Sequence, residues 1–293
     1  MIEGSMVALV TPMNEDNSIN YPKVAELLEW HIESGTDGLV ILGTTGEAST
    51  MTFEEEKELV AFCHEKIAKR VPMIVGSGSN STATALTNSQ AFAELGADYL
   101  LVVTPYYNKT NNAGMIRHFE VIANSVDVPI IIYNVPGRTG CSIAPEVVGK
   151  LAQHPNIVGI KEASGDMSYV MSISKYITDD FVLYSGNDDV IVPLLSVGGT
   201  GVISVWANIM PKEVHDLVRL YLDGKTAESL AIQMKYLDLI DALFYEVNPI
   251  PVKSAMNWMG WDVGSLRMPL GEMGAEHYQR LVTVLERFEE ELR

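Results

Sequence analysis

Cysteine is nearly absent: Cys63 and Cys141 are the two in the chain. Neither belongs to a C-x-x-C pair, and two cannot build a disulfide framework, so a reducing cytoplasm is the expected setting. Positive charge is also scarce. Twenty Lys and Arg stand against 38 Asp and Glu, a formal charge of −18, and no basic run gathers into a patch. That balance argues against nucleic acid and anionic membrane surfaces as partners. No apolar run approaches the roughly 18 residues of a membrane span. The start, Met1-Ile2-Glu3-Gly4 with Pro12 and several acids close behind, does not read as a signal peptide.

Ligand-binding signatures are missing too. The six histidines are scattered over helical segments without metal-ligand spacing, and no strand leads into G-x-G-x-x-G. Neither a metal nor a dinucleotide cofactor is expected. Gly198-Gly199-Thr200-Gly201 looks like a phosphate loop, but it is read as preceding the last strand, at the stabilising end of the fold. The loops after the seventh and eighth strands lack a glycine-rich cradle, which disfavours a phosphorylated substrate. Asp188 and Asp189 read as helix N-terminal acids rather than a catalytic pair.

What is present is ample apolar material in a regular order. With 293 residues and 47% hydrophobic composition, the chain can bury one large core. Eight short runs rich in Val, Ile and Leu recur at 6–10, 38–42, 72–75, 99–103, 129–133, 157–160, 181–184 and 201–205. They are continuous rather than alternating, as expected of parallel strands covered on both faces. Helical patterns lie between them; the clearest opens at Thr52-Phe53-Glu54-Glu55, a capping box ahead of Leu59, Val60, Cys63 and Ile67. Eight βα units predict a closed TIM barrel of the (β/α)8 class. After Val205 the helices follow one another without strands, so the expected organisation is a barrel over 1–223 and a C-terminal helical appendage over 224–293.

Active sites of such barrels lie at the carboxyl ends of the strands. Lys161 follows Ile157-Val158-Gly159-Ile160, which places its amine at or just inside an apolar mouth. Desolvation there disfavours the ammonium and supplies neutral amine, a nucleophile that can form a Schiff base with a carbonyl compound. The competing reading is a structural lysine paired with Glu162. Strands four to six also bring Tyr107 and Tyr133 to the mouth, where tyrosine hydroxyls can pass protons to a carbinolamine, with a threonine hydroxyl as relay. Tyr133 can equally be a strand aromatic whose hydroxyl bonds the backbone. Gly43-Thr44-Thr45-Gly46 offers a carboxylate cradle or merely a tight turn. Arg138, in Pro136-Gly137-Arg138-Thr139-Gly140, can grip a carboxylate in bidentate fashion or sit at the surface.

Taken together, Gly43-Thr44-Thr45-Gly46-Glu47, Tyr133-Asn134-Val135-Pro136-Gly137-Arg138-Thr139 and Gly159-Ile160-Lys161-Glu162-Ala163-Ser164-Gly165 resemble the dihydrodipicolinate synthase and N-acetylneuraminate lyase family. The resemblance runs along nearly the whole chain, through Thr104-Pro105-Tyr106-Tyr107-Asn108-Lys109 and Tyr184-Ser185-Gly186-Asn187-Asp188. It implies that Lys161 forms an imine with pyruvate, that Tyr133 moves protons, and that Thr44 and Tyr107 complete the relay. Thr45 and the Ile203 backbone would hold pyruvate, with Gly186 beside them, and Arg138 would take the carboxylate of aspartate 4-semialdehyde. No cofactor beyond the covalent imine is implied. The resemblance also implies a homotetramer, a pair of tight dimers in which Tyr107 crosses into the partner's site. Members inhibited by lysine tend to carry histidines and a glutamate where Phe53, Glu56 and Thr84 stand here, although Asn80 and Tyr106 fit their pattern. Weak or absent feedback by lysine is therefore expected.

Two other functions keep the same residues in play. A lyase could cleave a 2-keto-3-deoxy sugar acid into pyruvate and an aldehyde, although Arg138 favours the synthase branch. A non-catalytic barrel could bind small keto acids as a sensor.

Overall fold

The computed structural model describes residues 1–292. Eight parallel strands close into a barrel in sequence order: β1 Gly4–Ala8, β2 Gly38–Ile41, β3 Met73–Gly76, β4 Tyr99–Val103, β5 Ile130–Asn134, β6 Ile157–Glu162, β7 Val182–Ser185 and β8 Gly199–Ser204. This is the TIM barrel read from the apolar runs. Among the described residues no helix is long and apolar enough to cross a membrane.

Alternation along each strand divides the apolar residues into two layers. Met6, Ala8, Val40, Ile74, Leu101, Ile131, Tyr133, Tyr184 and Ile203 fill the barrel interior. Val7, Leu39, Ile41, Val75, Leu100, Ile130 and Ile132 face the surrounding helices. The runs are therefore continuous because both faces are buried.

The strand at 157–162 breaks the alternation once. Ile130 pairs with Ile157 but Ile131 pairs with Gly159, leaving Val158 as the extra residue of a bulge. The slip sends Ile160 to the outer layer and turns Lys161 inward beside Tyr133, its register partner. A second irregularity corrects the reading of Gly198-Gly199-Thr200-Gly201. Gly198 precedes β8, but the other three open the strand: Gly199 pairs with Leu183 and Gly201 with Tyr184, so Thr200 is the extra residue. Glycine is required at 201 because a Cβ would lie 2.1 Å from the Gly4 carbonyl oxygen of β1. Close strand approach, not phosphate binding, accounts for that motif.

Beyond the barrel, helices Thr226–Ala242, Ile250–Trp258 and Ala275–Leu285 pack on its outer side and continue its core. Trp206, Tyr236 and Phe288 form a chain of rings with centroids 5.4 and 5.3 Å apart. The last of these helices ends at Leu285 and gives way to a 3-10 turn, Glu286–Phe288. The capping box is present: Thr52 accepts from the Glu55 amide, and Glu55 accepts from the Thr52 amide at 2.9 Å. Arg267 then grips the same carboxylate with two nitrogens at 2.6 and 3.0 Å, and holds it down at about 2.

The strongest tie between appendage and barrel is a buried ion pair. Lys253 donates to Glu47 at 2.9 Å and to the Thr11 and Ser265 carbonyls at 3.1 and 2.6 Å. The second Glu47 oxygen accepts from the Arg267 amide at 2.9 Å. Glu47 itself sits at φ +59° and ends the Gly43-Thr44-Thr45-Gly46 turn, so the pair fixes that turn from behind. Removing one partner strands a buried charge, so Lys253→Met should cost about 3–5 kcal/mol in urea unfolding. The double variant with Glu47→Gln should recover a large part of that loss; equal losses in single and double variants would contradict the pairing.

Candidate active site

A cavity of about 580 Å³ opens at the carboxyl end of the barrel, with Lys161 and Tyr133 at its base and Thr44, Thr45, Arg138 and Gly186 around it. Lys161 is 6% exposed, and its Nζ lies over the Tyr133 ring, 4.4 Å from the centroid. Among the described residues no carboxylate pairs with it. Burial brings the amine down from its ordinary 10.5 to about 7, with a smaller push in the same direction from Arg138 and an opposing pull from Asp188. Close to half of the amine is neutral near pH 7, where an ordinary lysine is almost wholly charged.

Pairing of Lys161 with Glu162, the competing reading of the sequence, does not occur. The bulge at Val158 leaves Glu162 facing outward, where its Oε1 accepts from Asn134 at 3.0 Å and from the Ser164 amide at 2.9 Å. Its backbone carbonyl accepts from the Gly186 amide at 2.7 Å. That bond brings residue 186 against the lysine: a Cβ there would lie 2.7 Å from Ala163 Cβ and 3.0 Å from Lys161 Cε. Glycine at 186 is thus part of the room the amine needs.

Tyr133 is buried, and its hydroxyl is pushed up to about 12 by that burial, against the Arg138 charge and a bond with Thr44. It stays protonated through the neutral range and can both donate and accept. Thr44 is exposed at the cavity edge, whereas Thr45 is buried and its Oγ1 accepts from Asn248 Nδ2 at 2.9 Å. Arg138 stands on a single helical turn, Pro136–Thr139. Its Nη2 donates to the Asn248 carbonyl at 3.0 Å.

Two of the expected site residues lie elsewhere within this chain. Tyr107 is 90% exposed at φ +67° and is not part of the cavity wall. Ile203 is fully buried in the barrel interior, paired through β8 with Met6, and is likewise outside the wall. Phe53, Glu56, Thr84 and Tyr106 line an outer arm of the same cavity, and burial alone raises the Glu56 carboxyl to about 7.

Asp188 departs from its reading as a simple helix N-terminal acid. It does open a short helical turn, but its Oδ2 accepts from the Val205 and Trp206 amides just beyond the neighbouring strand β8, each at 2.9 Å. Its Oδ1 is buried without a partner, and its charge acts on Lys161. Nothing in the local sequence points to this, because both amides come from the far side of β8. Asn248 was also missed; it belongs to the appendage, and its partners are 203 and 110 residues away.

The sign of the Lys161 shift makes a stability prediction. The folded chain releases the proton near pH 7, while the unfolded chain keeps it to about 10.5. Between these values unfolding takes up a proton, so this residue's penalty is full below pH 7 and fades as pH rises toward 10.5. Lys161→Met should therefore stabilise the fold at about pH 6, on the order of 4 kcal/mol, and by much less at about pH 10. A pH-independent difference in urea midpoint would contradict the shift.

The Dihydrodipicolinate synthetase family matches residues 1–288. A 4-hydroxy-tetrahydrodipicolinate synthase of Clostridium tetani is 55% identical over 274 residues, 93% of each chain. A protein of the same name from Clostridium novyi is 51% identical over 288 residues, 98% of this chain and 97% of the relative. The crystal structure of dihydrodipicolinate synthase from Aquifex aeolicus superposes with a TM-score of 0.96 at 40% identity, covering 99% of both chains.

Proposed function

The chain belongs to the Dihydrodipicolinate synthetase family, and from that premise we propose that it condenses pyruvate with L-aspartate 4-semialdehyde, the reaction of a 4-hydroxy-tetrahydrodipicolinate synthase in lysine and diaminopimelate biosynthesis. The observation that carries the reading is the buried, unpaired Lys161 amine lowered to about 7 at the base of the cavity.

The neutral amine adds to the pyruvate C2 carbonyl, and loss of water leaves an iminium on Lys161. Loss of a C3 proton gives the enamine, whose carbon attacks the aldehyde and forms the new C–C bond. Tyr133, held protonated by its burial and lying close to Thr44, hands protons to and from the carbinolamine. Thr45 and the turn around it hold the pyruvate carboxylate, with Gly186 leaving room for the imine. Arg138, fixed by the Asn248 carbonyl, takes the carboxylate of the aldehyde. The covalent imine serves in place of any cofactor.

Tyr107 completes the relay from a second copy of the chain. Its 90% exposure, on a backbone turn that holds the side chain out, is what a residue donated to a partner's site requires. The assembly proposed is a homotetramer built from two such dimers. Without a carboxylate at Thr84, and with Glu56 close to half neutral near pH 7, feedback by lysine is weak.

Borohydride reduction with pyruvate should leave one adduct, on Lys161, and none in Lys161→Ala. Arg138→Ala should keep the adduct yet lose at least about tenfold in kcat/KM for the semialdehyde, as expected for a bidentate charged contact. Turnover of a 2-keto-3-deoxy sugar acid in preference to the semialdehyde would move the assignment to a pyruvate-releasing lyase; no adduct at all would remove the enzyme reading.

A further inference from the structure

Asn248 lies between helices Thr226–Ala242 and Ile250–Trp258, outside the barrel, yet it is buried and forms part of the cavity wall. Among the described residues it is the one bonded to both Thr45 and Arg138. Its Nδ2 donates to Thr45 Oγ1 at 2.9 Å, and its backbone carbonyl accepts from Arg138 Nη2 at 3.0 Å. Its own Oδ1 is buried without a partner, so among the described residues the bond to Thr45 is the one hydrogen bond that the side chain makes.

A hydroxyl has one proton and two lone pairs. When an amide N–H occupies a lone pair of Thr45, the hydroxyl proton is free for another acceptor. Among the described residues no protein oxygen takes it. A proton so placed on a buried wall residue serves an anionic oxygen in the cavity, where a hydrogen bond to charge is worth about 1.5–3 kcal/mol.

We propose that Asn248 is a positioning residue that makes Thr45 an obligate donor toward the keto-acid carboxylate and sets its spacing from the Arg138 guanidinium. The inference rests on the reading of Thr45 as the holder of the pyruvate carboxylate, and it adds a residue of the helical appendage to that site. One amino acid thereby fixes two anion-binding groups: the side chain governs the first carboxylate and the backbone the second. Substitution of the side chain should therefore separate the two substrates.

Asn248→Asp supplies the test. The shape is kept and the backbone carbonyl still holds Arg138, but the side chain now offers acceptors alone and captures the Thr45 proton. The pyruvate concentration giving half-maximal borohydride-trapped adduct on Lys161 should rise about tenfold or more, the equivalent of one lost charged hydrogen bond. KM for the semialdehyde should stay within about twofold, since the backbone bond is untouched. The added negative charge is controlled in a Thr45→Val background, where the effect of Asn248→Asp should shrink to within about twofold if the hydroxyl is its route. Asn248→Ala, which removes the donor without adding charge, should give a smaller rise, and it carries the same cycle if the aspartate variant fails to fold. An unchanged half-saturation, or a rise equally large with and without the Thr45 hydroxyl, would overturn the inference. Wild-type protein that traps no pyruvate would instead overturn the functional reading beneath it, so the two failures are distinct.

Discussion

The barrel buries a primary amine without giving it a counter-ion, and the arrangement of the mouth follows from that constraint. The flat face of Tyr133 stands below Lys161 Nζ where an acid would otherwise sit. A ring face attracts a cation weakly and does not trap it, so the amine keeps access to its neutral form. Asp188 is a buried carboxylate whose own charge burial opposes; its Oδ2 is committed to the Val205 and Trp206 amides, and it forms no ion pair with the lysine. The result is an amine poised between two charge states, at a cost in folding stability that the large core absorbs.

The rest of the chain holds that mouth to a fixed shape. The Glu47–Lys253 pair braces the turn carrying Thr44 and Thr45 from behind, and Arg267 ties the start of the next helix to the same segment. Asn248 reaches the cavity itself. The helices after Gly224 are therefore joined to the active end of the barrel through ion pairs and hydrogen bonds as well as through apolar packing. Buried ionic contacts of this kind fix geometry more than they add stability.

Much of this was legible in the sequence because it is carried by local pattern. Continuous Val, Ile and Leu runs separated by helical periodicity signal strands covered on both faces, and eight of them in order signal closure. Lys161, Tyr133, Thr44, Thr45 and Arg138 follow from reading the ends of those runs. The direction of Lys161 was not legible, because it depends on the bulge at Val158, which sets whether Lys161 or Glu162 turns inward. Asp188, Asn248 and Lys253 escaped for a different reason: each acts on partners brought close only by barrel closure or by the returning C-terminal helices. Gly199-Thr200-Gly201 was read correctly as structural, but its place inside β8 was not legible because the register shift opposite Leu183 and Tyr184 leaves no local signal.

Burial, helped by Arg138 and against the pull of Asp188, places this amine in the neutral range with no bound ligand. Carbon-13 labelling of the lysine ε-carbons, with Lys161→Met to identify the signal, allows its titration to be followed by NMR in the unliganded protein. The expected midpoint is about 7. A midpoint near the ordinary 10.5 would contradict it.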